Sequence, residues 1–170
     1  ISSWAATPAA QAYVETHLTR LEKTLEVVPP GGLHDRILEM GAYFQITPAL
    51  KSQLGYGEVR GCYFGPLRRT EYRDIQSESG ERFSCAIDLF DAEKDRFPYE
   101  DEFYSTVLCC ELIEHLQSDP LHMLWECNRV LEADGYLLLT TPNIASCRAI
   151  EGLLVGCTPY LLSQYNRRQV

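Results

Sequence analysis

Residues 104–143 read YSTVLCCELIEHLQSDPLHMLWECNRVLEADGYLLLTTPN. Tyr104 to Cys110 is a short run, apolar and β-branched but for Ser105, the pattern of a strand buried on both faces. Asp119-Pro120 then places a capping carboxylate before a proline, which is how a helix starts. Leu121, Leu124, Asn128 and Leu131 mark one face of that helix, predicted to end near Asp134-Gly135. Tyr136 to Thr141 is the next strand, broken by Pro142-Asn143. Strand, helix and strand in this order build a parallel sheet covered by helices.

The same alternation extends outward. Upstream, Arg36 to Met40 is a strand ending at Gly41, and Thr47-Pro48 opens a short helix that Gly55 closes. Glu58 to Phe64 and Phe83 to Leu89 are further strands, and the polar stretch Pro66 to Arg82 between them reads as loop. Downstream, Ile144, Cys147, Ile150 and Leu154 suggest a last helix stopped at Gly156. At the other end Val14, Leu18, Leu21, Leu25 and Val28 draw one apolar stripe on a helix that Pro29-Pro30-Gly31-Gly32 terminates. The expected organisation is an N-terminal amphipathic helix over 1–30 and one α/β domain over 31–170. The helix is expected to cover its own sheet, with self-association through it as the other use of the stripe.

With 45% hydrophobic residues, the 170-residue chain can bury one real core. A net charge of −9 and a pI near 4.9 give no basic stripe for a phosphate backbone, which argues against nucleic acid as partner. Seven cysteines, odd in number and without C-x-x-C spacing, read as reduced small hydrophobes of a cytoplasmic protein. No apolar run approaches the ~20 residues that span a bilayer, and Ile1-Ser2-Ser3-Trp4 lacks the features of a signal peptide.

The stretch DAEKDRFPYEDEFYSTVLCCELIEHL (91–116), followed by RVLEADGYLLLTTPN (129–143), resembles class I S-adenosylmethionine-dependent methyltransferases of the ubiquinone-biosynthesis type. An acid after the third strand, a Phe-Pro loop, E-x-x-E-H at the end of the fourth strand and R-V-L-x-x-x-G before the fifth all stand in register. The resemblance implies a Rossmann-like doubly wound, mostly parallel sheet. Five strands can be placed where the family has seven, and Thr158 to Val170 is too short to supply the rest, so the family's last strands are expected to be lacking here, through truncation, omitted segments or an abbreviated form.

Ligands of doubly wound sheets bind at the carboxyl ends of the strands, near the topological switch point. Glu39, Gly41, Asp91, Glu111 and Asn143 fall at or just past such ends. By resemblance, Glu39 and Gly41 with Ala42 hold the methionine part of S-adenosylmethionine, Asp91 with Ala92 the adenine, and Glu111 lies near the cofactor. The family's ribose-binding acid falls on Tyr63. The turn Gly41-Ala42-Tyr43-Phe44-Gln45 lacks the second and third glycines of the family pattern. A G-x-G-x-x-G dinucleotide turn is absent too, which disfavours an NAD-dependent dehydrogenase.

The expected reaction is methyl transfer to an unidentified acceptor, a small molecule or a saccharide-type hydroxyl, with His115 and Glu114 as the catalytic pair. If a helix begins right after Cys110, Glu111, Glu114 and His115 share a face and could hold a divalent metal, although simpler roles need none. The rival reading is a non-catalytic scaffold with a degenerate cofactor site. Tyr43 and Phe44 decide between them: filling the cleft they favour the scaffold, turned aside they favour the enzyme.

Overall fold

The computed structural model of the chain describes residues 1–143 and 145–156, leaving aside the Arg148 side chain. Six strands form one sheet: β1 (Arg36–Met40), β2 (Glu58–Tyr63), β3 (Arg69–Gln76), β4 (Arg82–Leu89), β5 (Tyr104–Cys110) and β6 (Leu131–Thr140). Their order is β3-β4-β2-β1-β5-β6, and every pairing is parallel except β3 with β4. From β1 the chain steps outward to β2 and then β4, and returns to the other side of β1 as β5. The switch point of this doubly wound sheet therefore lies between β1 and β5.

Successive residues of the central strands enter opposite layers. Ile37, Leu108, Val59 and Ile87 pack with Val14, Leu21 and Val28 of helix α1 (Pro8–Val27) and its exit, and with Leu50 of α2 (Thr47–Ser52). Leu38, Val107 and Cys109 face the other way, toward Met123, Cys127 and Val130 of α3 (Pro120–Val130). Burial on both faces is why β5, paired on either side by β1 and β6, reads as a largely apolar run. Helix α1 thus spends its stripe on its own sheet. Cys62, Cys85, Cys109, Cys110 and Cys127 are buried free thiols. Among the described residues no helix is long and apolar enough to cross a membrane.

Four local expectations are corrected. The stretch read as loop holds β3, which forms a hairpin with β4 closed by the Ser77 amide donating to the Glu81 carbonyl at 2.9 Å. Helix α3 stops at Val130, because Leu131 is already extended at φ −76° and ψ 136°. The strand expected at Tyr136 therefore starts five residues earlier, with an irregularity opposite Tyr104–Thr106. Thr47 does not cap α2; the N-cap is Ile46, and the Thr47 hydroxyl donates to the Tyr43 carbonyl at 2.9 Å. A last helix, α4, spans Cys147–Leu154. Ile144, expected at its start, and Thr158 to Val170 lie outside the described residues.

Arg129 holds more than its helix. Its guanidinium donates to the carbonyls of Phe97 and Tyr99 and to the carboxylates of Glu126 and Asp101, fastening the acidic loop that precedes β5.

Candidate active site

A cleft of about 540 Å³ opens at the carboxyl ends of β1, β2, β4 and β5, a volume within the ordinary range for small-molecule sites. Gly41 forms its corner at φ +66°, a left-handed conformation that costs other residues about 1–2 kcal/mol. A Cβ there would meet only Leu112, at 3.7 Å, so the backbone faces open space. The turn beyond it fits against β2 because residue 61 is glycine. A Cβ on Gly61 would stand 2.7 Å from that of Ala42 and 2.5 Å from Ile87 Cδ1.

Beneath this corner lies Glu39, 2% exposed. Its Oε1 accepts from the Tyr43 amide at 3.1 Å, while Oε2 is buried with no hydrogen-bond partner. Burial pushes the Glu39 carboxyl up to about 7, against the opposing pull of the Thr47 hydroxyl and the Tyr43 amide.

At the far corner Asp91 Oδ1 accepts from the Glu93 amide at 2.9 Å, and Oδ2 pairs with Lys94 Nζ at 3.1 Å. Partial burial works against the charge on Asp91, but the Glu93 amide and the Lys94 ammonium outweigh it and hold the carboxyl below its usual range. Glu93 itself reaches across the cleft to accept from the backbone amides of Ser118 and Asp119 just before α3. The loop after β4 and the loop after β5 are thereby tied together.

Tyr63, at the end of β2, lines the cleft, but its hydroxyl donates to the Ala42 carbonyl and its ring lies under Arg73, 4.9 Å from centroid to guanidinium. Tyr43 stacks on Tyr13 of α1, with centroids 5.5 Å apart and planes 10° from parallel, so its ring forms wall rather than filling. Phe44 packs against the α1-side core and beside Arg73.

The stretch Glu111 to His115 is not one helical face. Glu111 has φ +51°, and only Ile113–His115 make a single 3-10 turn. Glu111 accepts from the Thr140 hydroxyl at 3.1 Å and Glu114 from that of Thr141 at 3.4 Å, while His115 faces the cleft. Burial, with Glu111 alongside, raises the Glu114 carboxyl above its usual range. Among the described residues no three His, Cys, Asp or Glu side chains converge to hold a metal. The metal reading of these three residues fails because the left-handed turn at Glu111 removes the shared face it required.

A family model described as a methyltransferase domain matches residues 44–139, more than half of the chain. The chain belongs to the methyltransferase domain family. No curated protein matches it. Among solved structures it is similar to a chain of the complex between the Haloferax volcanii Trm112 methyltransferase activator and the methyltransferase paired with it. That likeness has 18% identity and a TM-score of 0.58, and covers 82% of this chain and 59% of the other. It is also similar to a Thermotoga maritima SAM-dependent methyltransferase, named as a possible histamine N-methyltransferase, at 19% identity and TM-score 0.53, over 86% and 63%. At such identities the likeness shows the Rossmann-like fold. The chain spans less than two thirds of the length of either protein.

Of the residues that the sequence points to, the methyltransferase domain brings Gly41, Tyr63, Asp91, Ala92 and His115 to the cleft lining. Glu39 lies buried beneath it. Ala42 is fully buried and turned toward Gly61, and Glu111 and Glu114 stand behind the lining toward β6. Sequence reasoning missed Glu93 and Lys94, although their adjacency to Asp91-Ala92 was a usable signal. It also missed Phe64, Gln117 and Ser118, which carry no motif. The family implies S-adenosylmethionine, and the described residues fit that group at one end. An orphaned buried carboxylate oxygen and an unencumbered glycine turn suit the cationic amino-acid part. At Tyr63, where the resemblance puts the ribose contact, they offer no carboxylate, and the Tyr63 hydroxyl is committed to the Ala42 carbonyl.

Proposed function

We propose that the chain is the cofactor-binding part of an S-adenosylmethionine-dependent methyltransferase acting on a small molecule or a saccharide-type hydroxyl. The observation that carries this reading is the orphaned Glu39 Oε2 under the open Gly41 turn. A buried carboxylate without a partner is costly unless a cation arrives to use it. The bound cofactor would supply a sulfonium methyl group open to in-line displacement. Glu39 and Gly41 would hold its amino-acid end, Asp91 and Ala92 its adenine, and Tyr63 would contact the ribose through its ring. Glu93 would keep the adenine corner closed by joining its two loops. His115, at the cleft lining, would accept the proton that the acceptor hydroxyl loses, and Glu114 would orient that hydroxyl. Glu111 would support the turn between them. Positioning and exclusion of water would supply most of the rate.

Phe44, turned into the α1-side core, and Tyr43, held in the cleft wall by its stacking on Tyr13, leave the cleft open, which favours this reading over a scaffold. The test is calorimetric titration of the chain with S-adenosylmethionine and S-adenosylhomocysteine. Saturable binding is expected, with an upward shift in melting temperature; ligand at 100 times its Kd stabilises by about 2.7 kcal/mol. Absence of both heat and shift at millimolar ligand would leave the scaffold reading in place.

A further inference from the structure

We infer that Arg73, on the hairpin strand β3, is a positioning residue of the cofactor site: its guanidinium clamps the ring of Tyr63 in the cleft wall. This rests on the reading above, in which that ring meets the cofactor's ribose. Tyr63 lines the cleft, and its hydroxyl donates to the Ala42 carbonyl. Such a bond fixes the tip of the side chain and leaves the plane of the ring to be set by its neighbours. Arg73 is such a neighbour. Its guanidinium stands 4.9 Å from the Tyr63 ring centroid and 5.8 Å from that of Phe44, both inside the ~6 Å reach of a cation over an aromatic face.

The hairpin is built to deliver that charge. Strand β3 lies two places out from β2, and Arg73 pairs with Cys85 of β4, whose side chain belongs to the α1-side core. The guanidinium thus reaches across β4 to the end of β2. Two residues apart on a strand share a face, and on this one Arg69 pairs with Glu71 at 3.2 Å. Arg73 makes no ion pair among the described residues, so its charge is left to the two rings. Burial pushes the Tyr63 phenol up to about 12, and the Arg73 charge is the largest influence opposing that rise. The hairpin is anchored in turn by the start of the chain. The Glu78 amide donates to the Ser3 carbonyl at 2.8 Å, and Trp4 meets Phe83 edge-on with ring centroids 6.3 Å apart. A strand outside every quoted motif thereby links the N-terminal residues to the wall of the cleft.

A double-mutant cycle separates a clamp on Tyr63 from a general brace. S-adenosylhomocysteine is titrated calorimetrically into the parent chain, Arg73→Met, Arg73→Lys, Tyr63→Leu and the variant carrying both Arg73→Met and Tyr63→Leu, with the fold of each followed by thermal melting. Methionine keeps most of the reach and loses the charge. Arg73→Met is expected to weaken binding about 2- to 5-fold, the worth of one exposed cation–π contact, and Arg73→Lys to recover part of the loss. In the Tyr63→Leu background Arg73→Met should change nothing further, because a residue that acts through the ring has no route once the ring is gone. Equal affinity in parent and Arg73→Met overturns the inference. So does the same fold-loss with and without the Tyr63 ring, which would make Arg73 a brace of the hairpin alone. Where the leucine variants bind too weakly to titrate, fluorine NMR of the chain labelled with 3-fluorotyrosine decides. The Tyr63 line, identified by Tyr63→Phe, should respond differently to S-adenosylhomocysteine in parent and Arg73→Met, and the same response in both overturns the inference. A parent that binds no S-adenosylhomocysteine overturns the inference together with the cofactor reading, whereas a parent that binds it keeps that reading whatever Arg73 does.

Discussion

Burial of a carboxyl group 2% exposed, with one oxygen unpartnered, penalises its charged form, and Glu39 is raised to about 7 for that reason. Its ordinary value of 4.5 applies once the chain unfolds. Between these values the native state binds the proton that the unfolded state has released, so stability falls as pH rises. The contribution is fully present below 4.5 and lost above about 7, a difference of roughly 3 kcal/mol from a shift of this size. Glu39→Gln should remove that slope. Urea unfolding of parent and variant from pH 5 to pH 8 checks it: the two curves should converge toward acid and separate toward base, and parallel curves would contradict the assignment. At this scale the sequence made Gly41, Asp91 and Glu39 legible, because each is fixed by a strand end. The reach of Glu93 to Ser118 and of Tyr63 to Ala42 was not legible. Those contacts depend on how distant strand ends are brought side by side, which no local spacing encodes.

Helix α1 is an element whose face could be read in advance. Its buried Val14 and Leu21 follow from the 3.6-residue period, while its cap, the Thr7 side chain accepting from the Ala10 amide, carries no periodic signal. Leu21→Ala should lower the unfolding free energy by about 2–5 kcal/mol, since the site is fully packed between α1 and the sheet. The partly exposed Leu25 should lose clearly less on the same change, and denaturant melts of the two variants compare them directly. Strand β3 was not legible. It pairs with β4 alone, nearly all of RTEYRDIQ is exposed or half-exposed, and a strand with no packed face shows no alternation to find. The end of α3 was misread because Leu131, Glu132 and Ala133 are good helix formers. Pairing of Leu131 with Tyr104 overrides that propensity and turns the segment into strand.

The two edges of the whole sheet are protected unequally. At one edge, β3 carries Arg69, Glu71, Arg73 and Asp74, charges that discourage pairing with another chain. At the other, β6 pairs only with β5 among the described residues, and none of its residues is buried although it contains Tyr136 to Leu139 in succession. Tyr136 is 60% and Leu137 38% exposed, and α4 adds exposed Ile150, Leu153 and Leu154. An apolar strand with free backbone groups on one side is a template for association. The net charge of −9 opposes it at long range, but salt shortens that repulsion to about 10 Å at 0.1 M and about 3 Å at 1 M. The 170-residue chain should therefore associate with rising concentration, more strongly at high salt. Leu137→Lys places a charge on the exposed edge and should restore the mass of one chain. Light scattering over a tenfold concentration range, at low and high salt, makes the comparison. Association that the lysine leaves unaltered would move the contact away from β6, and a parent that stays at the mass of one chain throughout, high salt included, would contradict the prediction.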